Sequence, residues 1–278
     1  MAGVTAADVK ALRDKTGLPM IACKKALVES GGDQEKAIEA LRKAGQKTAE
    51  KQAGRATKAG RIAVHADADG AVGAIVELRC ETAPVANNEE FIQLAEDIAK
   101  QLAVGPGAAT PDELLVQPSP RKEGMTLKEQ WDELYNRIRE NFKFERLKRI
   151  EGDCSGYVHH DGAKGVLLQF EGGTPEMARD ICMHIVAMRP RSLSKDDLDP
   201  DVVAKEREIL SEQARNEGKP EKIIEKMVEG RMKSFYAEHC LTEQVFVKGE
   251  DKKKTVGKVA DEAGMKLREF VRWELEKE

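Results

Sequence analysis

An internal repeat constrains this chain more than any other feature. The run VHADADGAVGAIVEL, Val64 to Leu78, matches VHHDGAKGVLLQF, Val158 to Phe170, once two residues are dropped from the first turn. Each copy reads Val-His, an Asp/Gly turn, then a glycine and a β-rich strand, which is the pattern of a hairpin. An amphipathic helix is expected after each, Glu89 to Leu102 and Pro175 to Met188. A further strand, reached by a long detour, closes each half: Phe142 to Ile150 in the first and Lys266 to Leu275 in the second. The spacing predicts an α+β protein with two related subdomains, 61–152 and 153–278, each a three-stranded antiparallel sheet with a helix packed on it.

Ahead of the repeat, residues 1–45 punctuate themselves into three short helices. Thr5 caps the first, Pro19 opens the second and Asp33 caps the third, with TGL and GGD as breaks. Val9, Leu12, Met20, Leu27, Ile38 and Leu41 fall at helical spacing, Met20 and Leu27 being candidates for core or interface alike. The stretch 46–60 is Ala/Lys/Gly-rich without apolar periodicity and reads as a basic linker or a solvated helical extension. The second detour, about 196–240, predicts an antiparallel helical hairpin inserted between Asp201 and Glu238. Val203, Ile209, Leu210 and Ala214 are expected to face Ile223, Met227, Met232 and Phe235, with Gly218 and Pro220 at the tip. Such an arm either packs on itself or touches another protein.

Composition excludes several function classes. Lys plus Arg number 46 against 50 Asp plus Glu, so no nucleic-acid coat is implied, although residues 1–61 carry 13 basic and 7 acidic side chains. The five cysteines are odd in number, scattered and free of C-x-x-C spacing, which predicts a reduced, cytoplasmic setting. No apolar run approaches the ~20 residues of a membrane span, and no signal-peptide or transit pattern opens the chain. Phosphate-loop, dinucleotide and nucleophile-elbow motifs are absent. Cys182 with His184, the pair His159-His160, and His239-Cys240 are poor metal candidates, since neighbours on regular structure face apart. By elimination the chain reads as an interaction protein.

The run LRDKTGLPMIACKKAL resembles the N-terminal module of the elongation factor Ts family, in Leu12, Arg13, Thr16, Gly17, Met20 and Cys23 to Leu27. ETAPVANNEEF, GYVHHDGAKGV, EKMVEGRMKSF and LTEQVFV continue the likeness in the family's order. The resemblance implies a UBA-like three-helix module, a coiled-coil hairpin insertion and a nucleotide exchange factor for the GTPase elongation factor Tu. It implies no enzyme, cofactor, resident metal, membrane or direct nucleic-acid contact. Self-association through the hairpin is a further possibility the family raises. The family's Thr-Asp-Phe-Val corner, where the Asp disturbs the partner's Mg²⁺ and the Phe wedges between helices, corresponds to Thr82, Ala83, Pro84 and Val85. Acid and ring are both missing, so the corner is either a residual turn or a small apolar knob for a pocket that accepts proline.

Partner contacts carried over from the family are Arg13, Met20, Lys24 and Lys25 in the head and Tyr157 and His159 in the second hairpin. His159 is expected near the partner's phosphate loop, and His65 is expected to be an ordinary sheet residue. Two alternatives stay open: a Tu-binding protein that has lost exchange, and an RNA-binding module using the basic linker, with Phe142 and Phe144 as its only aromatic candidates.

Overall fold

The protein, a computed structural model, is described over residues 4–66, 72–218, 220–248 and 253–276. It is mixed α and β, with two antiparallel three-stranded sheets. The chain forms two compact units, Met1–His65 with Ala74–Arg149 and Leu275–Glu278, and Ala66–Gly73 with Ile150–Glu274. The expected Asp/Gly turn of the first hairpin, 67–71, lies outside the described residues.

The first unit starts with α1 (Ala6–Thr16), α2 (Met20–Glu29) and α3 (Gln34–Gln52). Thr5 and Asp8 form a capping box at the start of α1, and Gly17 ends it at φ 66°, a conformation glycine adopts without penalty. Val9, Leu12, Leu18, Cys23, Ala26, Leu27 and Ala37 form the head's own core. Of the two readings of 46–60, linker or helical extension, the second holds as far as Gln52, where α3 ends. Beyond it, Asn141 Nδ2 donates to the carbonyls of Ala53 (3.2 Å) and Arg55 (2.9 Å). Polar bonds hold this segment, which is why it shows no apolar periodicity.

Strands β1 (Ala59–Ala66) and β2 (Val72–Cys80) follow, then α4 (Ala83–Ala86), α5 (Glu89–Val104), α6 (Pro111–Leu115), α7 (Leu127–Ile138) and β3 (Phe142–Glu151). The sheet order is β1-β2-β3. Central β2 is buried on both faces from Gly73 to Leu78, and so reads as a nearly continuous apolar run. Its exception is Glu77, fully buried and bonded to Arg79 Nε (2.5 Å) and Arg146 Nε (2.7 Å). Helix α5, capped by Asn88, buries Phe91, Leu94, Ile98 and Leu102. Phe142 is a core ring, edge-on to Phe91 (5.1 Å), Trp131 (5.6 Å) and Tyr135 (5.9 Å). It is not the exposed base-stacking platform an RNA-binding sheet needs.

The second unit holds β4 (Cys154–Val158), β5 (Lys164–Glu171), α8 (Pro175–Met188), α9 (Pro200–Asn216), α10 (Glu221–His239), α11 (Val256–Glu262) and β6 (Lys266–Glu274). Strand β5 pairs antiparallel with β4 and β6, with a bulge between Gln169 and Phe170. Helix α8 closes this sheet through Ala178, Ile181, Cys182 and Ile185. Helices α9 and α10 pair through Leu210, Ala214, Ile224, Val228 and Met232, with Val203, Phe235 and Tyr236 alongside. Leu210, Ala214 and Met232 lie inside as expected; Ile209 and Ile223, also expected there, are exposed, and on α10 Ile224 and Val228 pack inward in place of Ile223 and the half-buried Met227. Apolar doublets leave the choice of inward residue open by one position, and the partner helix makes it.

Candidate functional site

The corner after β2 is a short rigid element. Thr82 leaves the strand extended and Ala83–Ala86 make one helical turn, with Pro84 in the first turn where its missing N–H costs nothing. Glu140 clamps the entry: its carboxylate accepts from Thr82 N–H (3.1 Å) and Thr82 Oγ1 (2.7 Å). Glu81 accepts from Asn141 N–H (2.6 Å) and lies 3.5 Å from Arg55. The Cys80 thiol donates to the Thr82 carbonyl (3.4 Å); burial first, then the Glu140 charge, push its pKa up to about 12. The exit is tied by Asn87, whose Nδ2 donates to Ala83 O (3.0 Å). Of the four corner residues, Thr82, Ala83 and Pro84 are exposed while Val85 is a core anchor.

The second hairpin turns just after β4. His159 N–H donates to Lys164 O (2.9 Å) and Gly162 N–H to His159 O (2.8 Å), closing the loop. His159 Nδ1 lies 3.1 Å from Asp161 Oδ1, at ion-pair distance but without hydrogen-bond alignment. Burial works to raise the Asp161 pKa, yet the Ala163 N–H and His159 hold it below the ordinary carboxylate value. The imidazole is 29% exposed and sits 4.1 Å from the His160 ring. Tyr157, opposite Val166, is partly buried against the sheet's core, so its ring also has a packing role.

On the head, Arg13, Met20, Lys24 and Lys25 are all exposed, and Leu27 is fully buried. Met20 and Lys24 share a shallow depression with Val4, Val9 and Ile21. Lys25 faces elsewhere, into a cleft lined by Ala26, Ala44, Asn136 and Arg139. Ile21, 84% exposed beside Met20, was not among the expected contacts. The helical period carries the missing signal: with Cys23, Ala26 and Leu27 inward, Ile21 and Val28 must point to the opposite face.

Comparison with known proteins decides what these surfaces belong to. The family described as Elongation factor TS matches residues 81–277. The curated elongation factors Ts of Thioalkalivibrio sulfidiphilus and Methylococcus capsulatus are each 42% identical, over 275 and 276 residues. That of Clostridium botulinum (strain Alaska E43 / Type E3) is 42% identical over 283. Each alignment covers 98% of this chain and 92% of the relative. The chain belongs to the elongation factor Ts family. It is thereby one of the elongation factors of protein biosynthesis.

In this elongation factor Ts family member no group of three or more His, Cys, Asp or Glu side chains that could hold a metal ion comes together among the described residues. His184 is instead a buried hub, its Nε2 3.0 Å from Gln244 Oε1 and its Nδ1 accepting from Val247 N–H (3.3 Å). Cys182 Sγ donates to Ser155 O (3.5 Å), and burial pushes its pKa up to about 12. His65 lies within β1. Among the described residues no helix is long and apolar enough to cross a membrane.

Proposed function

We propose that this protein is a guanine nucleotide exchange factor for elongation factor Tu, acting through binding and making or breaking no bond of its own. The observation that carries this reading is the similarity to elongation factors Ts over 98% of the chain. A factor that prefers the nucleotide-free GTPase must, by linkage, weaken GDP by the same factor. GDP is held largely through its phosphates and Mg²⁺, so a surface that disturbs that region lowers its affinity.

In this reading Thr82, Ala83, Pro84 and Val85 form the corner facing the partner's Mg²⁺ region, with Val85 as its anchor and Pro84 as its tip. The exposed proline presents far less apolar surface than an aromatic wedge. His159 and Tyr157, on the second hairpin, then carry more of the exchange effect. Arg13, Met20, Lys24 and Lys25 dock the head, and the α9–α10 pair is available for partner or self contact. A reading in which the protein binds Tu without exchange is favoured by one observation, the absence of acid and ring at Ala83 and Pro84.

Release of a fluorescent GDP analogue from the cognate Tu separates the two. Exchange activity predicts a release rate that rises with this protein and saturates. Complex formation with an unchanged release rate establishes the second reading, and neither binding nor release rejects both.

A further inference from the structure

Helix α3 carries a glycine in its interior. Gly45 stands between Gln34 and Gln52, where glycine is the poorest helix former after proline, and its φ is not positive. No turn or cap calls for it. The space its side chain would take is already filled: a Cβ on Gly45 would stand 1.5 Å from Oδ1 and 2.4 Å from Cγ of Asn136 on α7. All three atoms met belong to the Asn136 side chain, so a Cβ at residue 45 requires that side chain to turn aside from its present place.

The rest of the junction is polar and peripheral. Arg42 lies 3.5 Å from Glu129 and 3.8 Å from Glu133, and Tyr135 Oη donates to Gln52 Oε1 (2.8 Å). A Cβ on Gly17, at the end of α1, would meet Arg137 Cδ at 2.6 Å. Beside the crossing an open cavity of about 230 Å³ separates Lys25, Ala26 and Ala44 from Arg139. The head's large buried apolar side chains are committed to its own core. In the present geometry of the α3–α7 crossing the Asn136 side chain lies against the Gly45 backbone, an approach that leaves no room for a Cβ.

We propose that Gly45 and Asn136 form the seat that fixes the three-helix head against α7, making Gly45 a positioning residue for docking the head onto the GTPase. The docking consequence rests on the exchange reading; the seat is a property of the free chain. Any volume added at residue 45 pushes α3 off α7, although alanine is the better helix former.

Spin labels at Glu35→Cys and Asp112→Cys, both exposed and away from the crossing, report head placement in the free protein by pulsed dipolar spectroscopy. The native thiols are buried and do not compete for label. A single narrow distance is expected for the native seat, broadened in Gly45→Ala, more so in Gly45→Leu, and narrowed again in Gly45→Ala/Asn136→Ala. In GDP release, Gly45→Leu should raise the half-saturating concentration about tenfold with the rate at saturation within twofold, and Asn136→Ala should recover most of the loss in the alanine variant. A narrow distance in both single variants, a broad one in the native seat, or no rescue by Asn136→Ala would overturn the seat. Broadening with rescue in a protein that releases no GDP would leave the seat standing and reject the exchange reading.

Discussion

Lowering the pH from 7.5 to 5.5 should destabilise the second unit through His184. The ring is fully buried, and Val247 N–H donates to Nδ1, so the proton of the neutral imidazole sits on Nε2 and is donated to Gln244 Oε1. Gln244 is fixed in turn, its Nε2 donating to Glu238 O (2.8 Å). A second ring proton would oppose the Val247 N–H, and burial accordingly holds the His184 pKa below its ordinary value. The unfolded chain takes up this proton near pH ~6.5. Between the folded and unfolded values the unfolded state binds more protons, so stability is intact above ~6.5 and falls as the pH drops, by up to about 1.4 kcal/mol per pH unit. At pH 5.5 the loss is at most about 1.4 kcal/mol, or at most about 2–3 °C in melting temperature for a chain of this size. The carboxyls held low by the fold, Asp161 and Glu274, act in a more acidic range. The assay is thermal unfolding followed by circular dichroism at both pH values, on the wild type and on His184→Asn. The variant should lose about 1–3 kcal/mol at pH 7.5, because Gln244 Oε1 loses its donor, and should show a flatter pH response. Equal pH slopes in the two proteins would refute the reasoning.

Glu77→Ala leaves Arg79 without its buried carboxylate and should cost about 3–5 kcal/mol in denaturant unfolding. All five cysteines are buried, with Cys80 and Cys182 pushed up to about 12 and Cys154 to about 11, so a thiol reagent at pH 8 should label the folded chain at less than one site and the denatured chain at five. His159→Ala should slow partner GDP release more than Pro84→Ala does; the reverse order would place the main effect at the corner.

How much was legible in the sequence depended on whether local chemistry or distant packing set each feature. Helix α8 was readable to its ends because Thr174 caps it and Pro175 opens it. The paired α9 and α10 were legible as helices, and so were Leu210, Ala214 and Met232 between them; Ile209 and Ile223 were not, because each has an apolar neighbour and the partner helix decides between the two. Residues 46–52 read as linker or helical extension alike, because the Tyr135–Gln52 bond that holds the end of α3 leaves no apolar period. At the candidate site, the corner's location followed from the resemblance, while its one-turn helix and the Glu140 clamp, 58 residues away in sequence, carried no local signal. Exposed Ile21 is legible from the helical period of α2, which sets it opposite Cys23, Ala26 and Leu27.

The Glu140 clamp separates the frame of the corner from its tip. Thr82 and Val85 are held from outside the turn, by a carboxylate and by the core, whereas the Ala83 and Pro84 side chains point to solvent. The two tip residues can therefore be exchanged as one swaps a bit in a chuck, and Ala83→Asp with Pro84→Phe should leave the melting temperature nearly unchanged.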